Sequence, residues 1–559
     1  MNMSQKFRLV FAVVPVALIL GTTAQADTNV GGMITTDTHW TAGNGPYIAT
    51  QSILVTNGAT LTIDPGVEIR FDLNRALSVV SGQLVARGTE SEPITFTKNS
   101  AGDDRWGYIS FGNDSIDASF DANGNYLSGS ILEHNIVEYA GGTTVNGAIN
   151  IESASPYLAR STIRNNGTGA IYAKYAEGLR IEGNLIAGND TGNTGSTSGG
   201  VYLYKSNNAI IADNTLVNNH SWYDGGAIYL KYSDNVSVAD NSIQNNSAGY
   251  HGGGVSLLRT DNVTISNNAI TDNASSGTQY GGGGLYDFES DGVSIIGNTI
   301  SDNTANRGGG VYLHGSANIT FADDVISDNE AEVDGGGVSM YSSHSVTFSE
   351  DLIANNLGHG IFADRYGSGI ILSLNPEHPT AILGNSGYQV WNEMDFLAEA
   401  DPSGNANIDA RNVWWGSTDT ATIEAGIFDF FDDASYGVVF FDPYALSESP
   451  TLLPGDANND GMVSADDYGS VQLNFGDIGV AGIPGDANGD GVVSADDYGS
   501  VQLNFGAMAG LGGALVPEPA TLLLLCIGGL AILRRRRFDG VHHGRKESTN
   551  YTDLRRLHR

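Results

Sequence analysis

One phrase returns along the chain: small or glycine residues lead into an apolar stretch, with Ile149, Ile171, Val201, Ile228, Val255, Leu285, Val311, Val338 and Ile361 at the equivalent position and steps of about 22 to 30 residues. Some ten residues after each comes a second apolar segment, such as "AII", "VSV" or "VTI". A turn later there is a third, such as "NTL", "NSI" or "NAI". Each unit therefore predicts three short strands, and stretches such as "VYLY" and "IYLK" alternate with period two, apolar inward and polar outward. A helical reading fails, because glycine pairs and β-branched residues recur where a helix needs good formers. Parallel coils stacked about 4.8 Å apart satisfy the pattern.

The turns carry their own column. Asn184, Asn214, Asn241, Asn268 and Asn298 share one position in successive units, continued by Asp324 and Asp351. Stacked amides can hydrogen-bond along a solenoid axis and satisfy turn backbone that no strand pairs, so their expected role is structural. The glycine pairs are expected at corners that need positive φ.

On these residues the chain resembles right-handed parallel β-helix proteins of the pectate lyase-like superfamily. The resemblance extends through an N-terminal segment "SILVTNGATLTIDPGVEIRFD" and a closing segment "DARNVWWGSTDTATIEAGIFDFFDD", where Trp414 and Trp415 are expected to cover the last rung. It implies a fold that hosts pectate lyases, polygalacturonases, alginate-type epimerases and lyases, and adhesins without catalysis, so the site must decide among them. Such proteins place their clefts on the outer face of the first strand. If Val201 and its equivalents point inward, the next residues form an outward column that includes Tyr172, Tyr202, Tyr229, Tyr286 and Tyr312. Rings stacked along a groove can pack on sugar faces, which makes these five the expected polysaccharide-binding residues; pleated-surface preference and rung-to-rung stacking would also place tyrosines there.

Catalysis is less well founded in the sequence. Lyase chemistry on a uronate needs a base and cations, and this face offers only Lys174, Lys231, Arg259 and Arg365. Asp323-Asp324 and Gly358-His359-Gly360 echo two polygalacturonase motifs, but the later basic motif is missing and Asp324 already belongs to the turn column. One slot breaks the pattern: Asp287 stands where Leu257 and Leu313 fill neighbouring units. A buried lone carboxylate is costly, so the expectation is a local bulge, or Asp287 and Glu289 facing solvent.

Composition sets the context. Between Asp27 and Leu533 there are 15 Lys and Arg against 60 Asp and Glu, a balance of −45 that repels nucleic acid and anionic lipid alike. No nucleic acid partner is expected. The lone cysteine, Cys526, excludes a disulfide framework. Residues 1–26 read as a signal peptide, with Lys6 and Arg8, an apolar middle, and an Ala24-Gln25-Ala26 end.

After the solenoid (27–445) and a linker (446–454), two near-identical repeats, "GDANNDGMVSADDYGSVQLNFG" and "GDANGDGVVSADDYGSVQLNFG", occupy 455–506. Each places oxygen donors at the alternate positions of a calcium loop around a turn glycine. The expected Ca²⁺ ligands are Asp456, Asn458, Asp460, Met462 (carbonyl), Ser464 and Asp467, then Asp486, Asn488, Asp490, Val492 (carbonyl), Ser494 and Asp497. Aspartate at the twelfth position and a single following helix resemble dockerin type I repeats, a small α-helical calcium-loop module. That resemblance implies a cohesin-like partner, although Ala465-Asp466 stand where many dockerins carry recognition hydroxyls. A second linker (507–515) leads to Pro517-Glu518-Pro519, an apolar run to Leu533 and Arg534 to Arg537. The segment 516–537 resembles a PEP-CTERM sorting signal. This implies a short C-terminal apolar helix, transient membrane anchorage, Gram-negative export and delivery to the cell surface or extracellular matrix. A basic tail (538–559) follows.

Overall fold

The computed structural model describes residues 27–102, 104–142, 146–192, 198–277, 281–375, 378–394, 406–446, 457, 463, 467–475, 487 and 493–503. The chain divides into two units, residues 1–449 and 450–559.

In the first unit the apolar phrases stack as parallel strands on three faces. The first face runs through Gly169–Lys174, Val201–Tyr204, Ile228–Lys231, Val255–Leu258, Leu285–Phe288 and Val311–His314, each pairing in register with the next. Strands such as Ile210–Ala212, Ser237–Ala239 and Thr264–Ser266 make the second face. Thr215–Val217, Ser242–Gln244 and Ala269–Thr271 belong to the third. First and third faces join at one corner into a 31-stranded sheet, and the second face is a 15-stranded sheet. Inside lies one continuous core whose repeating members, among them Val201, Leu203, Ile211, Leu216, Ile228 and Leu230, are fully buried. At about 1.5–3 kcal/mol per buried aliphatic side chain, this column is the main source of stability.

The asparagine column forms as expected. Asn184 Nδ2 donates to Asn214 Oδ1, Asn214 to Asn241, and Asn241 to Asn268, each at 3.0 Å. A second ladder, not anticipated from the sequence, follows the third face: Asn189, Asn219, Asn246, Asn273 and Asn303 link in the same way at 2.9 to 3.0 Å. Other Asn and Asp residues, such as Asp213, Asp240, Asn218 and Asn245, hold turn positions at φ of 53 to 57°, which their short polar side chains tolerate.

The glycine phrase has two causes rather than one. Gly225 sits at φ +61°, whereas Gly226 does not; a Cβ on Gly226 would lie 2.2 Å from the Gly253 carbonyl oxygen of the next rung. The first glycine turns the corner and the second lets rungs touch. At the C-terminal end, Trp414 does not cover the last rung. Its N–H donates to the Thr380 carbonyl at 2.9 Å and its carbonyl accepts from Ile382 N–H at 2.9 Å, so it is itself a ladder position. Trp415 is buried in the core. Pairing continues beyond it through Ile427–Phe428 and Val439–Phe440.

Asp287 corrects the sequence expectation. The strand does not bulge: Leu257, Asp287 and Leu313 pair in unbroken register. Asp287 is 0% exposed and neither of its carboxylate oxygens has a hydrogen-bond partner among the described residues. Register is dictated by the apolar residues on either side, which outweigh one misplaced carboxyl. Burial pushes its pKa up to about 6, with Ser290 and Ser316 tempering the rise. The native state therefore keeps a proton that the unfolded chain releases near pH 4, and the penalty grows as pH climbs from about 4 through about 6. Replacing Asp287 with Leu is expected to raise stability by about 2 kcal/mol at neutral pH and by less in acid. Denaturant unfolding at the two pH values checks this; an equal or lower midpoint for the variant at neutral pH would contradict it.

In the second unit, helices span Asp467–Leu473 and Ala495–Leu503. Ala457, Val463, Val471, Ala487, Val493 and Val501 form a small core of their own, and Tyr468 and Tyr498, which stack on each other at 6.2 Å, pack against it. The repeats fold alike: Ser470 Oγ donates to the Ala457 carbonyl and Ser500 Oγ to that of Ala487, both at 2.7 Å. The signal peptide, the sorting segment with its expected apolar helix, and the basic tail lie outside the described residues. Among the described residues no helix is long and apolar enough to cross a membrane.

Candidate functional site

The outward positions of the first face align through the β ladder: Tyr172 pairs with Tyr202, Tyr202 with Tyr229, and Tyr286 with Tyr312, with Ser256 filling the rung between. The rings stack along the solenoid, Tyr172 on Tyr202 at 5.0 Å and Tyr286 on Tyr312 at 5.8 Å, while Tyr202 meets Tyr229 edge-on at 5.2 Å. Outward does not mean open. Tyr202, Tyr229, Tyr286 and Tyr312 are 6, 3, 5 and 1% exposed, and only Tyr172 is half-buried. Desolvation raises the phenol pKa of Tyr202 and Tyr229 well above its usual value, with Asp224 adding to the effect at Tyr229.

What the face presents to solvent is a second set of rings. At and just past the strand ends, Tyr175, Tyr204 and Tyr232 form an edge-to-face ridge at 5.8 Å spacings. Lys174 lies 5.7 Å from both Tyr175 and Tyr204, and Lys231 lies 5.9 Å from Tyr232. At the preceding corner, exposed Tyr223 and Tyr250 stack at 5.4 Å. Beside them the His251 ring lies parallel to Tyr286 at 4.5 Å, and its Nδ1 meets Asp224 Oδ1 at 2.8 Å. Arg259, a candidate cation, is held by Glu289 at 2.5 Å.

The tyrosine column continues through Ser339, Phe362, Trp391 and Phe428, and near this end a pocket of about 400 Å³ opens. Its walls come from successive rungs: Val333, Asp334 and Tyr341 from Glu330–Tyr341, His359 and Phe362 from Leu357–Ala363, and Trp391 from Val390–Asn392. Asp364, Arg365, Tyr366 and Glu393 follow these strands, and Arg307 precedes the strand Val311–His314. Asp334 is almost fully buried and ion-paired with Arg307. Burial nevertheless pushes its pKa up to about 6 against the pull of Arg307, and repulsion from Asp364 and Glu393 adds to the rise. Glu393 is also raised, chiefly by desolvation and then by Asp364. His359 is pushed down to about 4 by burial. Its Nδ1 accepts the Tyr388 N–H at 2.9 Å, which fixes a neutral ring with the proton on Nε2. Two carboxyls whose pKa values are raised within one concave site are the kind of groups that can take acid or base roles.

Sequence reasoning had singled out His359, but as half of an echo that the fold does not assemble. Asp323 and Asp324 sit at the turn between Ala317–Ala322 and Val325–Ser327, where Asp324 is buried in the asparagine ladder. Arg307 and Asp334, just before the glycine phrase, and Glu393, after the strand Val390–Asn392, fall outside the apolar positions that the repeat defines. Of the calcium ligands, Asp467, Ser494 and Asp497 are described: both aspartates are 0% exposed, and Asp497 Oδ2 accepts the Ser494 N–H at 2.7 Å. Asp456, Asn458, Asp460, Met462, Ser464, Asp486, Asn488, Asp490 and Val492 lie outside the described residues. Buried carboxylates at both twelfth positions suit a hard cation, and among the described residues no group of three or more His, Cys, Asp or Glu gathers to hold a metal.

Three-faced coils of parallel strands with an outward aromatic column define a β-solenoid protein. Residues 108–252 and 250–376 match the family described as "Right handed beta helix region", and residues 515–537 match the PEP-CTERM protein-sorting motif, which marks the chain for export in Gram-negative bacteria. Among solved structures, the periplasmic alginate epimerase AlgG is 13% identical, with 74% of this chain and 84% of that one covered and a TM-score of 0.34. The Azotobacter vinelandii mannuronan C-5 epimerase AlgE6 A-module is 14% identical over 70% of this chain and 92% of that one, with a TM-score of 0.35. A curated relative, Protein bark beetle of Drosophila melanogaster, is 36% identical over 83 residues, which is 13% of this chain. The match spans 3% of that relative's length.

Proposed function

We propose that this exported β-helix protein acts at the cell surface or in the extracellular matrix and binds polysaccharide along its first face. The observation that carries the reading is the pocket near the C-terminal end of the aromatic column, where the rings of Tyr341, Phe362, Tyr366 and Trp391 meet charged groups in one concave site. Rings supply sugar-stacking surfaces and the charged groups supply directional hydrogen bonds. In this reading Tyr172, Tyr202, Tyr229, Tyr286 and Tyr312 form the floor that holds the solvent-facing rings in line. The bound chain runs over Tyr175, Tyr204 and Tyr232 toward the pocket. Retention on immobilised polysaccharides tests it: wild type is expected to be retarded on at least one, and Trp391→Ala together with Tyr366→Ala to lose most of that retardation. A wild-type protein that elutes unretarded from a broad panel would refute the reading.

A second reading, a polysaccharide lyase or glycoside hydrolase on the same pocket, is favoured by the raised carboxyls Asp334 and Glu393. Lyase action on a uronate yields an unsaturated product that absorbs in the ultraviolet, whereas hydrolysis releases reducing ends without it. Neither product on any bound glycan leaves binding as the function.

The repeats at 455–506 form, in this reading, a dockerin-like module that takes up one Ca²⁺ per loop and docks to a cohesin-like partner. The carboxylates that the sequence places within each short loop support it, as do the buried position-twelve aspartates. Calorimetric titration of the exported chain is expected to give calcium heats that Asp467→Ala plus Asp497→Ala abolishes. Absence of heat in the wild type, previously stripped with chelator, would dismiss the calcium claim.

A further inference from the structure

The charge balance of the pocket says what kind of sugar it suits. Three carboxyls line it, those of Asp334, Asp364 and Glu393, against two guanidiniums. Arg307 is committed to Asp334 in an ion pair that is mostly buried. That leaves Arg365 alone to offset Asp364 and Glu393, while His359 is held neutral by the Tyr388 N–H it accepts. Repulsion from Asp364 is felt by both other carboxyls, so the site carries negative charge that its own cations do not absorb.

The rings point the same way. Tyr341, Phe362, Tyr366 and Trp391 line the same cavity as the carboxyls, and aromatic faces attract cations through their quadrupole, most strongly where water is excluded. Rings joined to carboxylates recognise an ammonium group by two additive mechanisms, the ring quadrupole and charge-assisted hydrogen bonds. A uronate would instead add a further carboxylate beside Asp364 and Glu393, where three carboxyls already face two guanidiniums, within an exported chain whose balance is already −45. A neutral sugar would gain stacking but leave the carboxylates uncompensated.

We infer that the pocket formed by Asp334, Asp364, Glu393 and the surrounding rings selects a glycan residue bearing a free amino group. The inference rests on the glycan-binding reading above and narrows its substrate to aminated polysaccharide. Titration calorimetry on the exported chain tests it with four probes: a glucosamine oligosaccharide, its N-acetylated counterpart, an oligouronate of the same length, and spermidine as a free amine. The glucosamine oligomer is expected to bind at least about tenfold more tightly than the other three. Glu393→Gln, which keeps the shape of the side chain, is expected to erase most of that preference by weakening the glucosamine oligomer far more than the N-acetylated one. Asp364→Asn serves the same purpose should Glu393→Gln fold poorly. Equal or tighter binding of the N-acetylated or uronate oligomer overturns the amino-group inference and leaves glycan binding standing. Spermidine bound as tightly as the oligomer overturns it too, since the site would then read an amine without its sugar. No binding of any oligosaccharide removes both readings together.

Discussion

Replacing Asn246 with Leu is expected to lower the stability of the solenoid by about 4 kcal/mol or more, although the two side chains are similar in size. Asn246 stands in the middle of the second ladder. Its Oδ1 accepts both the backbone N–H and Nδ2 of Asn219 at 3.0 Å, and its Nδ2 donates to the Leu216 carbonyl at 2.9 Å and to the Gln244 carbonyl and Asn273 Oδ1 at 3.0 Å. Leucine breaks all five bonds in a place water cannot reach, and each buried polar group left without a partner costs about 1–3 kcal/mol. In a solenoid each rung is braced only by its neighbours, so a defect at one rung weakens the coupling of the coils on either side. Equilibrium denaturation is the measurement, and besides the lower midpoint a broader, less cooperative transition is expected. A loss below about 1 kcal/mol would show that the ladder is decoration on a stack held by its apolar core alone. Asn246→Asp is the informative companion. It keeps an oxygen for Asn219 but places a second acceptor where the amide donated, so its cost should fall in acid.

The solenoid was readable because its information repeats. One misassigned residue at Val201 or Ile228 would have been outvoted by eight equivalents, and period-two alternation then fixed which side chains turn inward. The five tyrosines were placed on one wall by the same logic, and the wall exists. Their burial was not readable, because alternation says which way a side chain points but not what lies over it. His251, packed flat on Tyr286, belongs to a corner that the strand pattern does not describe. The second ladder was within reach, since doublets such as Asn218-Asn219 and Asn245-Asn246 recur at the repeat period. One member of each doublet takes the positive-φ turn and the other joins the ladder, so the doublet mixes two signals in adjacent letters. The pocket was beyond reach for the opposite reason. Arg307 and Asp334 stand just before the glycine phrase, where the residue changes from coil to coil (Asp224, His251, Arg307, Asp334), and only stacking brings them together with Glu393. Asp287 shows the hierarchy of forces: local chemistry argued for a bulge, yet the apolar column on both sides kept the register.

The same reasoning predicts the second large effect, at the two rungs where the first ladder changes letter. Asp324 Oδ1 accepts the backbone N–H of Asn298 at 2.7 Å and its Nδ2 at 2.9 Å, as an asparagine would. Its other oxygen then takes the place of the donor that every asparagine above it offers to the next rung, and that next rung is Asp351, also fully buried. Burial raises both carboxyls, Asp324 to about 7 and Asp351 well above the usual range, with repulsion from Asp323 adding at Asp324 and repulsion from Asp324 adding at Asp351. The unfolded chain releases these protons near pH 4, so the native state binds more protons than the unfolded one from about pH 4 upward. The stabilising contribution of the protonated pair is thus complete below about pH 4 and is lost as pH rises through about 7, where Asp324 titrates. Asp324→Asn restores an amide whose Nδ2 can donate to Asp351 and leaves one buried carboxylate in place of two, at the cost of the Ala322 N–H that Asp324 Oδ2 accepts at 3.2 Å. The variant is expected to be more stable than wild type by about 2–4 kcal/mol at pH near 8, with the difference shrinking toward zero near pH 4. Thermal or denaturant unfolding across that range measures it. A variant whose advantage is constant with pH, or greater in acid, would mean that the two aspartates already share their charge with a partner in the folded chain.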